Sequence, residues 1–255
     1  MKARDFPILE FDPARRAVIE PSEQITPSGV PEHCVPCFFG DVIAGLVKSG
    51  QAREAACMKS EMGRHPLYVM EVDGRHVAVY QPGITAAFAA AMLDEVIAHG
   101  CRKFIACGGA GVLDRSIDAG HIIVPRSAVR DEGASYHYMP PSREVEADPD
   151  AVAAIERVLR NHGRPHTVGK TWTTDAFYRE TPDKVALRRS EGCITVEMEA
   201  AAFFAVARFR GVTFAQILYG GDDVSGRVWD NREWNKHRTV REELLRLAAE
   251  ACLLL

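Results

Sequence analysis

The 255-residue chain is 47% hydrophobic and 26% charged, the balance of a soluble globular protein. At that length one core removes enough surface from water that neither disulfides nor a structural metal are required. A formal charge of -4 and a pI near 6.2 leave no broad basic field, which excludes nucleic acid and anionic membrane as main partners and points to small molecules.

Apolar periodicity predicts a helix over 41–48 and β-like runs over 55–58, 67–72 and 76–80, with the Asp73-Gly74 pair turning a hairpin. A helix over 85–98 follows, ended by Gly100. Residues 103–107 form a short apolar strand that feeds a glycine-rich turn, Gly108-Gly109-Ala110-Gly111. Strands over 121–124 and 167–171 flank a helix over 150–161, and a helix over 182–190 opens on Pro182. The last units are a strand over 194–196, a helix over 199–210 closed by Gly211, and an apolar strand over 213–219 ending at Gly220-Gly221-Asp222-Asp223. An amphipathic helix over 232–254 completes the chain. Strands alternating with helices predict an α/β layer sandwich around a largely parallel or mixed sheet. No repeat, low-complexity tract or Gly/Ser linker divides it, so residues 1–255 read as a single domain.

The opening, MKARDFPILEFDPARR, interleaves charges with its few apolar residues, without the unbroken run of a signal peptide or spanning helix, and this points to the cytoplasm. Seven cysteines, odd in number and scattered, fit reduced thiols. The close pair Cys34 and Cys37, behind His33, lacks a second pair to complete four ligands, so packing is expected of it and no metal is expected.

Three motifs carry chemistry, and all fall where sites gather in such sheets, at the carboxyl ends of strands. TVEMEAAAFFAVA sets Glu197 and Glu199 at a strand-to-helix junction. Two acids there complement the helix dipole, yet a carboxylate on a rigid strand end also accepts hydrogen bonds from the two hydroxyls of a ribose, and Met198 offers a soft contact to the sugar face. TTDAFY presents Phe177, whose ring is either core or a platform for a flat heterocycle. GGDDVSG offers Asp222 and Asp223, either turn-formers or the acid that protonates a leaving base.

The strings IACGGAG, RDEGASYHY, TTDAFY, VEMEAAAFF and the apolar strand into GGDD resemble the purine nucleoside and uridine phosphorylase superfamily in order and spacing, from about residue 17 to the C-terminus. The resemblance implies a three-layer α/β sandwich with a mixed central sheet, assembled as a homo-oligomer, a dimer or a hexamer built from dimers. It implies phosphate-dependent cleavage of a nucleoside to free base and ribose 1-phosphate, with no metal or organic cofactor. Carried over, Glu199 holds the ribose hydroxyls, Met198 touches the sugar, Glu197 supports their turn and Phe177 lies against the base. Asp222 or Asp223 protonates the base, and Thr85, in the run Gly83-Ile84-Thr85, borders the sugar and phosphate.

The chain also departs from that family's pattern. The arginine of the family's PGDPxR phosphate loop is missing from the matched stretch, residues 21–26. Ala106 stands where a second phosphate arginine ends the strand, and Gly109 where a hydroxyl is expected. Arg64 lies within one residue of a phosphate arginine that the family lends across subunits, and the backbone of Gly108 and Gly109 is a candidate anion nest. Three readings follow: phosphorolysis with an altered phosphate site, hydrolysis with Glu23 orienting water, and nucleoside binding without catalysis. The glutamine and arginine that read uracil in uridine phosphorylases are replaced here around Arg179-Glu180, which leaves purine, pyrimidine and modified bases open.

Overall fold

The computed structural model describes residues 3–236 and 238–255, Asn235 by its backbone alone. The strands are β1 (His33–Pro36), β2 (Ala52–Ser60), β3 (Gly63–Val72), β4 (Arg75–Tyr80), β5 (Lys103–Val112), β6 (Ile122–Asp131), β7 (Glu144–Glu146), β8 (His166–Thr174), β9 (Cys193–Glu197) and β10 (Thr213–Asp223). The helices are α1 (Pro21–Gln24), α2 (Gly40–Lys48), α3 (Ala86–His99), α4 (Pro149–Asn161), α5 (Pro182–Ser190), α6 (Ala200–Arg210) and α7 (Arg238–Cys252). All ten strands join one mixed sheet in the order β10-β6-β8-β9-β5-β1-β4-β3-β2, with β7 on β6. With α3 packed on α6 and α4 on α7, this is the expected three-layer α/β sandwich.

Local sequence explains the main joints. Asp73 and Gly74 turn the β3–β4 hairpin at φ 49° and 74°, the left-handed pair that matches strand twist. Asp148 caps α4 by accepting from the Asp150 and Ala151 N–H groups at 2.9 and 3.1 Å. Gly211 closes α6 at φ 71°. Every residue from Ala200 to Ala207 is buried, because α6 is covered by the sheet on one side and α3 on the other. An apolar stripe is not enough for a helix so placed, and its sequence is apolar all round.

Two expectations need correction. The glycine run at 108–111 is no turn: it continues β5, paired in parallel with β10 from Gly108↔Leu218 to Ala110↔Gly220. Its missing side chains make room for others. A Cβ on Gly108 would lie 3.0 Å from the Phe38 ring, and one on Gly109 would meet the Tyr219 ring at 3.2 Å. The C-terminal helix begins at Arg238 rather than 232, since Arg232 and Glu233 sit at φ 45° and 48°, a left-handed conformation no α-helix carries. His237, within that expected span, lies outside the described residues.

Strand β10 pairs both with β5 and, antiparallel, with β6 through Leu218↔Ile123 and Tyr219↔Ile122. Strands β5, β9, β8, β6 and β10 therefore close into a ring of pairings.

Candidate active site

Glu197 ends β9 fully enclosed. One oxygen accepts from the Thr173 hydroxyl at 2.6 Å and the Thr171 hydroxyl at 3.4 Å. The other accepts from the N–H groups of Glu199 and Ala200 at 2.7 and 2.6 Å. Thr173 Oγ1 accepts from the Ala201 N–H at 3.0 Å, so a carboxylate and a hydroxyl satisfy the start of α6, where helix polarity favours negative charge. Burial pushes the Glu197 carboxyl up despite these donors. The acid is built into the scaffold.

Glu199, at the head of α6, is also buried. Its Oε1 accepts the Thr85 N–H at 2.7 Å. Thr85 holds φ 86° and ψ 141°, a region costing a side-chain-bearing residue about 1–3 kcal/mol, and the Glu199 contact is one of the interactions that hold the loop there. Gly83 is required in the same loop: at φ 79°, a Cβ there would lie 2.2 Å from the Phe88 ring. Burial, then the neighbouring Glu197 charge, pushes the Glu199 carboxyl up to about 8. Met198 stands between the two acids, half-buried.

The turn after β8 ties this corner to the end of β10. Asp175 anchors the turn by accepting the Gly133 N–H at 2.8 Å, and its charge adds to the upward pressure on Glu199. Phe177 follows, half exposed, its ring 4.1 Å from that of Tyr178. The Glu180 N–H then closes the turn on the Phe177 carbonyl at 3.2 Å. Glu180 is pushed up to about 7 by burial and by the charge of Asp222. Phe177 thus sits in a turn whose Asp175 acts electrostatically on Glu199 and whose Glu180 feels the charge of Asp222.

The adjacent aspartates have different surroundings. Asp223 is 1% exposed and accepts from Arg232 at 3.0 Å, Arg115 at 3.3 Å and the Ser225 N–H at 2.8 Å. Burial alone would raise it, but these donors bring its carboxyl below the usual range. Asp222 is half-buried. Its Oδ2 accepts the Trp229 indole N–H at 2.7 Å, and its Oδ1 lies 3.5 Å from where a Cβ on Gly111 would stand.

The residues considered for phosphate or water do not converge here. Arg64 is exposed on the β2–β3 hairpin and paired with Glu54 at 2.6 Å. Glu23 pairs with Arg16 at 2.8 Å; nearby Glu20 binds Arg210, at the end of α6 remote from Glu199, so Glu23 lies away from this corner. Gly108 and Gly109 are strand residues whose backbones pair with β10, and no separate nest forms there. Two surface clefts, of about 510 Å³ beside Arg53 and His76 and about 150 Å³ beside Phe204, contain none of the site residues. Among the described residues no group of His, Cys, Asp and Glu is arranged to hold a metal ion. None of their helices is long and apolar enough to cross a membrane.

Sequence reasoning missed Thr171, Thr173, Asp175, Glu180 and Trp229. The first two were within reach, since extending the β8 strand beyond 171 puts both threonines on one face. Trp229 offers no such signal, lying in an irregular segment.

The fold and this corner define an α/β enzyme whose β9–α6 junction carries a buried pair of glutamates. The chain belongs to the phosphorylase superfamily, whose family model matches residues 32–254. It is 29% identical over 191 residues to a guanosine phosphorylase of Halorubrum lacusprofundi, covering 68% of this chain and 79% of that one. It is 27% identical over 161 residues to the uridine phosphorylase of Escherichia coli, covering 58% of this chain and 64% of the relative, slightly under two thirds of its length. A uridine phosphorylase structure from Vibrio fischeri superposes with a TM-score of 0.74 at 22% identity, covering 91% of this chain and 95% of that one. An AMP nucleosidase from Bacteroides thetaiotaomicron gives 0.72 at 20%, covering 91% of each chain.

Proposed function

We propose that the protein cleaves the N-glycosidic bond of a nucleoside by phosphorolysis, giving free base and ribose 1-phosphate, with inorganic phosphate as co-substrate and no other cofactor. What supports this reading is the buried Glu199 carboxyl held by the Thr85 N–H at the head of α6, with the Phe177 ring half exposed on the turn after β8. Glu199 holds the ribose hydroxyls, Met198 packs on the sugar, and Glu197 and Thr85 keep Glu199 in place. Phe177 covers the base. A phosphate oxygen bonds to the anomeric carbon as its bond to the base nitrogen breaks, and Asp222 gives its proton to the departing base. Asp223 holds the strand end that carries Asp222. The guanosine and uridine phosphorylases among the relatives support phosphorolysis.

Hydrolysis is the second reading. It is favoured by the pairing of Arg64 with Glu54 within this chain. As part of the first reading the chain acts as a single domain in a cytoplasmic homo-oligomer, dimer or hexamer, whose β2–β3 hairpin brings Arg64 to a neighbour's phosphate; neither nucleic acid nor membrane is a partner. The test is product identification from a nucleoside panel, with and without phosphate. Ribose 1-phosphate formed only with phosphate is expected. Free ribose in both would establish hydrolysis, and bound but intact nucleoside would end the catalytic reading.

A further inference from the structure

The parallel register of β8 and β9 sets Thr171 beside Thr195 and Thr173 beside Glu197, and the alternation of each strand turns all four side chains to one face. All four are buried, yet the three hydroxyls are used differently. Thr195 Oγ1 has no hydrogen-bond partner among the described residues. Thr171 Oγ1 has only long contacts, to the Thr195 carbonyl at 3.3 Å and Glu197 Oε1 at 3.4 Å. Thr173 Oγ1 is engaged twice and closely, donating to Glu197 Oε1 at 2.6 Å and accepting the Ala201 N–H at 3.0 Å. A buried threonine on this face therefore need not bond at all, and the contacts of Thr173 come from its particular place.

A threonine hydroxyl has one proton to give. With the Ala201 N–H directed at its oxygen, that proton is committed to Glu197, whose other oxygen takes the Glu199 and Ala200 N–H groups at 2.7 and 2.6 Å. The hydroxyl thus joins the end of β8, the acid ending β9 and the first turn of α6 in one chain of hydrogen bonds. Glu199 stands within that chain: its backbone N–H bonds to Glu197, and its carboxyl meets the Thr85 N–H at 2.7 Å. We propose that Thr173 is a positioning residue for the sugar grip: through Glu197 and the head of α6 it fixes the direction in which the Glu199 carboxylate is presented to a ribose. The proposal rests on the nucleoside-cleaving reading above. Without the hydroxyl, Glu197 Oε1 keeps a single long donor and the Ala201 N–H is left unsatisfied inside the protein, so both losses fall on the same joint. A misplacement of about 1 Å at such a joint costs on the order of 100-fold in rate.

The experiment measures kcat and KM, with phosphate present, for the ribonucleoside that the wild type turns over fastest and for its 2′-deoxy counterpart. The variants are Thr173→Val, Thr173→Ser, Thr195→Val, and Thr173→Val combined with Glu199→Ala, with thermal melts to confirm folding. Thr173→Val keeps the shape and removes the hydroxyl. It is expected to lower kcat/KM for the ribonucleoside about 10- to 100-fold, through KM more than kcat, and to narrow the preference for ribose over deoxyribose about 3-fold or more. Thr173→Ser, which keeps the hydroxyl, is expected to stay within about 3-fold of the wild type, and Thr195→Val, whose hydroxyl has no partner, to leave both substrates unchanged. In the Glu199→Ala background the valine is expected to cost no more than about 2-fold, since the grip it sets is already gone. Full multiplication of the two losses, an unchanged sugar preference in Thr173→Val, or an equal loss in Thr173→Ser or Thr195→Val overturns the proposal while leaving the nucleoside reading intact. Should Thr173→Val not fold, Thr173→Ala takes its place; failure of both to fold makes the hydroxyl a requirement of the fold alone and also overturns the proposal. A wild type that turns over no nucleoside, with or without phosphate, brings down the reading on which it rests.

Discussion

The β9–α6 junction and the end of β10 present the same chemical group, a carboxylate, in opposite settings. At the junction Glu197 is held by two threonine hydroxyls and two backbone N–H groups, and Glu199 is buried against Thr85. At the end of β10 the buried Asp223 is consumed by two arginines, which leaves Asp222 half-buried under one exposed indole. The first region is preorganised, with little freedom to lose on binding; the second is adjustable. Recognition of a feature shared by all nucleosides, the ribose, suits a rigid corner, and recognition of a variable base suits residues carried on turns.

If that contrast is right, the largest loss comes from the rigid side. Glu199→Ala removes the acceptor for two hydroxyls at about 1.5–3 kcal/mol each, so kcat/KM for a nucleoside is expected to fall about 10³-fold, with Glu199→Gln intermediate because it still accepts from Thr85. Equal activity in Glu199→Ala would remove the ribose grip from this residue.

The neighbouring aspartates sharpen the comparison. Asp222→Asn is expected to lower kcat about 10²-fold, the lower end of general acid catalysis, with an unchanged melting temperature. Asp223→Asn weakens one of several Arg232 contacts, the Ile117 carbonyl and Asp230 being among the others, and is expected to cost about 1–2 kcal/mol of stability in denaturant titration, while the folded fraction keeps most of its activity. The reverse pattern would exchange their roles.

A smaller effect is expected from pH. Burial pushes the Glu199 and Glu180 carboxyls up to about 8 and about 7 in the folded chain, above the 4.5 of an ordinary glutamate, so the native state binds more protons than the unfolded chain. Their contribution to stability is whole below pH 4.5 and is lost as pH rises toward 8, with a slope of at most about 1.4 kcal/mol per pH unit for each group. Urea unfolding from pH 5 to 8 should show stability falling, and Glu199→Gln should flatten the fall; an unchanged slope in that variant would place its titration elsewhere. The smallest change expected is from Arg64→Ala, about a 10-fold rise in the KM for phosphate without loss of stability, its present partner being an exposed ion pair. No change in phosphate dependence would favour hydrolysis.

Where the sequence carried a strong period, the elements it predicted match closely: the helix over 182–190 coincides with α5, and the hairpin at Asp73-Gly74 formed as its φ values require. The Gly108–Gly111 run misled because glycine marks both turns and close approaches, and only the distant Phe38 and Tyr219 rings decide between them. The junction Glu197-Met198-Glu199 was legible in its own string of residues, whereas the threonines that hold Glu197 come from a strand 24 and 26 positions back and were not. Glu180 and Trp229 were not, because their meaning comes from Asp222, 42 and 7 positions further along or back in the chain, through contacts that no local pattern encodes. Glu23 and Arg64 were proposed by alignment to a loop and a neighbour, and each has found an ion-pair partner in its own chain.

The ring formed by β5, β9, β8, β6 and β10 acts as a hoop. Tension on any one strand passes round to the rest, so the strand ends cannot part by sliding, and backbone amides there should open to solvent only when the whole circle comes undone. Entry and exit of a ligand must then be the work of what hangs from the hoop: the span from Asp175 to Glu180 and the excursion from Val224 to Trp229, whose base is clasped by the mutual hydrogen bonds of Asp223 and Asp230 at 2.8 and 3.1 Å.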